Sequence, residues 1–228
     1  MSSRSYWLFA GALAVTLIGF WPSFFSNPAG LDAAHVIHGS VATLWMGMLI
    51  LQSWLISHRH YRPHRWIGRA SLAVVPVLVV SGLMMVRAML SDPRGLPNDL
   101  RLTLAYLDVT SLTLFVALYV CALVWRKTRV LHSRLMGSTV LVAVIPALGR
   151  VFAIHVPAIK GLAGALDPSF WVVEAVLVGL ILHDLRRKLT PPPYFVVLGV
   201  FAAIQLTMFH APRMEPFLHL ARALGYSG

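Results

Sequence analysis

Long apolar runs, separated by short polar, basic or proline-bearing breaks, set the pattern of this chain. Runs able to cross about 30 Å of hydrocarbon as helices need roughly 20 residues each. They lie near 5–24, 33–56, 65–90, 102–125, 134–157, 169–187 and 194–211. The pattern predicts an all-α fold: an integral membrane bundle of seven transmembrane helices, with residues 1–228 as a single domain. Residues 212–228 form a short amphipathic tail carrying FLHLARAL. Pro22, Pro93, Pro97, Pro157, Pro168 and Pro191 to Pro193 are expected at helix ends, where a missing amide costs least. Pro76 and Pro146 fall mid-run and predict kinks, tolerable where neighbouring side chains or water satisfy the freed carbonyls.

Positive charge supplies an orientation. Arg59, Arg62 and Arg65 cluster in one turn, Arg126, Lys127, Arg129 and Arg134 in the next alternate turn, and Arg186, Arg187 and Lys188 in the third. Cytoplasmic loops retain Lys and Arg, so these three turns face the cytoplasm. The other connections balance Arg94 and Arg101 against Asp92 and Asp99, and Lys160 against Asp167. The N-terminus is then cytoplasmic and the C-terminus periplasmic, in a multi-pass protein of the bacterial inner membrane whose first partner is the lipid bilayer. Only Arg4 precedes the apolar run from Tyr6 to Trp21, and PSFFSNPAG offers no small-x-small cleavage site, so the first span is expected to stay uncleaved.

Composition agrees with that picture and closes other routes. With 58% hydrophobic and 12% charged residues and a mean hydropathy of +0.75, there is too little polar sequence to cover a water-soluble globule of 228 residues. The net charge, 19 − 8 = +11, sits in short clusters between apolar runs without a continuous basic face, which argues against nucleic acid as a partner. The single Cys121 lies within an apolar run and excludes both an intrachain disulfide and a thiolate metal cluster. Walker loops, Ser-centred elbows and dinucleotide fingerprints do not occur.

Candidate chemistry lies at two depths. His35 and His38, Asp108, His155, Glu174 and His210 share the outer slab with Arg87 and Arg150. Ionisable groups inside a bilayer cost several kcal/mol unless paired, ligated or wetted, so they are functional candidates by default. His35, His38, His155 and His210 are candidate ligands for a divalent transition metal such as zinc, iron or copper, with Asp108 and Glu174 as candidate catalytic or proton-handling groups. The alternative is structural: half-wet His at helix ends, with Asp108–Arg150 and Glu174–Arg87 as plain ion pairs. At the inner depth, His64 and His132 begin the third and fifth spans, the arrangement for axial ligation of haem iron or, equally, for interfacial contacts at the lipid headgroups. His38, Trp45 and Gln52, seven apart, line one face of span two, so Trp45 and Gln52 either flank a cofactor or serve packing and interhelical hydrogen bonding.

The ordered motifs WPSFF, HxxHG…W…Q, RxxHRxxGRxS and HSRLM, over roughly residues 20 to 155, resemble a family of uncharacterised bacterial polytopic membrane proteins, from which no activity transfers. More remotely, His at opposite ends of successive helices is similar to the ascorbate-reducible transmembrane cytochromes b. That likeness implies a four-helix core holding haem b between His pairs. His64 and His132 would occupy one pair; His38 matches half of the other, with Asp108 where the partner His belongs. The leading expectation is a membrane redox protein that takes electrons from a quinol or small lipid-soluble reductant. Kept open beside it are a zinc-dependent intramembrane hydrolase, whose metal would lower the pKa of a bound water, and a non-enzymatic assembly factor or transporter with a polar periplasmic pocket. A homo-oligomer is compatible with any of these.

Overall fold

The computed structural model describes residues 5–26, 31–92, 95–189 and 192–226. It is all-helical, and no strand occurs among the described residues. The helices are α1 (Ser5–Phe20), α2 (Ala33–Ser57), α3 (Tyr61–Ser91), α4 (Asn98–Val124), α5 (Arg129–His155), α6 (Gly161–Arg186), α7 (Pro192–Thr207) and α8 (Glu215–Ala223). Six of them are long and apolar enough to cross a membrane, the first of these counted through Phe25. The seventh run is shorter: α7 has 16 residues, about 24 Å at 1.5 Å per residue, and gives way to a turn and a 3-10 segment at Ala211–Arg213.

One proline departs from expectation. Pro168 is inside α6, whose first turn begins at Gly161 rather than after the proline; as the eighth residue it removes an interior hydrogen bond, to the Gly164 carbonyl. Pro22 lies just past the end of α1, in a π-helical turn, Trp21–Phe25, closed by Ser26 N–H donating to the Trp21 carbonyl at 2.9 Å. Pro76 and Pro146 lie within α3 and α5 as read from the sequence. Pro93 and Pro191 lie outside the described residues.

α5 is the hub. It packs against α1, α4 and α6 and also meets α2 and α7, while α2–α3 and α3–α4 close the other side of the bundle. Small residues permit the closest approaches. A Cβ built on Gly19 of α1 would lie 2.5 Å from the Ala147 carbonyl oxygen of α5, and the ring of Phe24 lies against Gly39 of α2. In the centre, Trp45 is 1% exposed and meets Phe115 and Tyr119 edge-on, at centroid distances of 5.4 and 5.6 Å. Several hydroxyl groups along the spans are satisfied within their own helices, whereas Ser53 Oγ of α2 is buried without a partner among the described residues. Thr16, Thr43, Ser138 and Ser169 each donate to the carbonyl four residues back, so these polar groups cost little in an apolar setting.

The tail forms the amphipathic helix anticipated from FLHLARAL. α8 lays Phe217, Leu218 and Ala221 over Val86, Leu90, Leu102 and Ala105 at the adjoining ends of α3 and α4. Tyr106 packs edge-on against Phe217, and the Tyr226 ring stacks over the guanidinium of Arg101, which is fully buried and also donates to Asn98 and to the Leu90 carbonyl.

Candidate functional site

The polar groups at the α2 start, α3 end, α4 start and α5 end fall into separate small contacts. Asp32 caps α2: its carboxylate accepts from the backbone N–H of His35 and lies within hydrogen-bond distance of His35 Nδ1, both at 2.9 Å. Those contacts hold the Asp32 carboxyl below its ordinary range, the backbone hydrogen bond being the largest cause. A depressed folded-state pKa means the cap is in place above the unfolded Asp value, near 4, and is lost as pH falls through and below it. The protection of the first-turn amides of α2 against hydrogen exchange, taken relative to the intrinsic rate at each pH, should therefore fall on acidification below about pH 4. Asp32→Asn, which keeps an acceptor, should flatten that dependence, and wild-type protection that does not change with pH would remove the cap from the account.

His38 is half-buried and bonds Ser81 Oγ of α3 at 3.1 Å. Its ring, Gly82 of α3 and Leu112 of α4 meet at one junction, since a Cβ built on Gly82 would touch both His38 Cε1 and Leu112. Asp108 stands one turn from Leu112 on α4 and interacts electrostatically with Arg150 of α5, whose guanidinium lies 4.2 Å from the Phe20 ring centroid and donates to the Pro146 carbonyl. Asp108 and Arg150 are thus within electrostatic reach of each other, but the ion pair expected from the sequence does not form: they make no N···O contact within 4.0 Å among the described residues. Glu174 does not meet Arg87: its electrostatic neighbour is Asp167, which accepts from Gln205 of α7 at 2.7 Å, and Glu174 Oε1 is buried without a hydrogen-bond partner. Arg87 is on the exposed side of α3.

His155 ends α5 and His210 precedes the 3-10 segment, both exposed. His35, His38, His155 and His210 are not gathered: among the described residues, no three His, Cys, Asp or Glu side chains come together as a metal ion would require.

The inner histidines are closer to one another in character. His64, in the first turn of α3, lies within electrostatic reach of His132, in the first turn of α5. His132 Nδ1 is 2.8 Å from the Ala122 carbonyl of α4, a hydrogen bond that orients the ring and leaves Nε2 as the available nitrogen. Gln52 of α2 donates from Nε2 to the His64 carbonyl at 3.0 Å, and Gly68 leaves the room that the Gln52 amide occupies. Next to this, Tyr119 of α4 and Ser71 of α3 share a 2.8 Å hydrogen bond, and Ser71 donates onward to the Gly68 carbonyl. His64 Nδ1, Gln52 Oε1 and the indole nitrogen of Trp45 are buried with no hydrogen-bond partner among the described residues. Buried polar atoms are normally satisfied, so three orphans along the α2–α3 seam mark where water or another group belongs.

One polar pair escaped the sequence reading. Arg134 of α5 and Asp184 of α6 lie 2.7 Å apart, both nearly inaccessible, with the Tyr194 ring of α7 5.7 Å from the guanidinium. The contact is a buried ion pair. A signal was present: of the eight acidic residues, Asp184 alone lies near a basic turn, and a lone carboxylate there calls for a cation.

Compared with known proteins, the chain matches no protein-family model, no curated protein and no solved structure.

Proposed function

We propose that this protein is a multi-pass membrane redox carrier that holds haem b, or another redox metal centre, between His64 and His132. The observation that carries the reading is the pair of imidazoles on α3 and α5: His132 is fixed through Nδ1 with Nε2 left over, and the half-buried His64 has an inaccessible, unsatisfied Nδ1. Two neutral imidazoles, one anchored to a backbone carbonyl, form a donor set that suits low-spin haem iron. Bound there, the haem would supply one-electron transfer. The chain's own part is positional. Gln52 holds the first turn of α3 through the His64 carbonyl, and Trp45, against Phe115 and Tyr119, walls the inner seam with apolar area. The outer groups, His38 bonded to Ser81 and Asp108 within electrostatic reach of Arg150, are those suited to take up the proton that accompanies an electron from a quinol or other small reductant.

The accompanying topology is seven spans with α7 as a short seventh, the basic turns in the cytoplasm of a bacterial inner membrane, and α8 on the periplasmic side. Protein purified from haem-replete cells is expected to be red, with a Soret band abolished by His64→Ala or His132→Ala and retained in His58→Ala. A colourless, iron-free preparation of well-folded protein would sink the proposal.

A further inference from the structure

The last two turns of α6 carry a surface that neither the inner histidines nor the outer polar groups use. Gly179, Leu182, His183, Arg186 and Arg187 recur at three- and four-residue spacing, share one helix face, and line a shallow cavity of about 390 Å3. All five are exposed. Gly179, without a side chain, leaves a dip in this exposed face, and a Cβ built on it would meet nothing within 4 Å. At the other end stand Arg186 and Arg187, whose guanidinium groups form no ion pair among the described residues; the adjacent carboxylate, Asp184, already holds Arg134 at 2.7 Å and lies 3.5 Å from His183.

The spacing sets a depth. Seven residues separate Gly179 from Arg186, about 10 Å along the helix, and the neighbouring Val176, Val178, Leu182 and Leu185 are exposed apolar side chains. A doubly cationic rim with an apolar notch below it is the shape of an amphiphile that has an anionic head and a hydrocarbon tail. The carboxyl end of a helix opposes an anion with about half a negative charge. Arg186, Arg187 and Lys188 outweigh it several times over. We propose that this face of α6 binds an anionic glycerophospholipid, its phosphodiester on Arg186 and Arg187 and one acyl chain in the notch over Gly179.

The test is spin-label resonance on full-length protein in phosphatidylcholine bilayers containing spin-labelled phosphatidylglycerol, a readout indifferent to haem content. Wild type is expected to immobilise labelled phosphatidylglycerol in preference to labelled phosphatidylcholine. The double variant R186A/R187A should weaken that association about thirtyfold, at roughly fivefold per charge near a membrane surface, while R186K/R187K keeps most of it. Gly179→Leu should weaken it with the charges intact. Three results would overturn the proposal: equal retention of both lipids, equal weakening by R126A/K127A on a different basic turn, or displacement of the lipid by millimolar inorganic phosphate, which would make the surface a free-anion site. Unchanged binding in Gly179→Leu would overturn the acyl-chain notch.

Discussion

Arg134→Ala and Asp184→Ala will each lower the melting temperature of the purified protein by roughly 10 °C. Removing one member of a buried ion pair strands the other charge, at a cost of about 3–5 kcal/mol, and for a chain of this length each kcal/mol corresponds to roughly 2–4 °C. Arg134 and Asp184 are 6% and 9% exposed at the side chain and lie between α5, α6 and α7, so water cannot take over the orphaned charge without prising the helices apart. The double variant R134M/D184L is expected to recover most of the loss, because replacing both charges by apolar groups of similar volume is close to neutral. Singles that melt with the wild type would mean the pair is solvated; a double as damaged as the singles would mean that shape, not charge, is at stake.

The second large effect is steric. Gly19→Ala places a methyl carbon 2.5 Å from the backbone oxygen of Ala147, and a backbone atom cannot swing aside as a side-chain tip can. Overpacking of this kind costs about 1–3 kcal/mol. Gly11→Ala, on the same helix, meets nothing within 4 Å and should be neutral or stabilising, since Ala exceeds Gly in helix propensity by up to about 1 kcal/mol. Opposite signs for one substitution at two positions of α1, read as melting temperatures, isolate the α1–α5 contact. Two equal shifts would show that α1 rides loosely on α5.

What the sequence disclosed, and what it hid, divide along a physical line. Apolar run length located the six long helices, whose starts lie up to eight residues before those of the runs (Gly161 against 169 for α6), and a seventh run that forms only the 16-residue α7. Helix ends were less legible. Pro168 looked like a boundary, yet α6 starts at Gly161 and carries the proline as its eighth residue. The topology read from the sequence assigns His38, Asp108, Arg150 and Glu174 a common depth but not their partners: depth fixes height along the bundle and says nothing of rotation about each helix. That is why Glu174 is beside Asp167 rather than Arg87, and why His35 and His38 of α2, His155 of α5 and His210 before the 3-10 segment do not converge among the described residues. Arg134 was read as part of a basic turn although it lies five residues inside α5, because charge counting treats every cation near a loop alike.

The position of α5 at the hub has a bearing on how the chain is made. α1 leaves the ribosome first, yet its tightest neighbour, the segment around Ala147, is synthesised more than a hundred residues later. Until then α1 has α2 as its main neighbour, and the close α1–α5 approach that Gly19 permits can form only once α5 has been made.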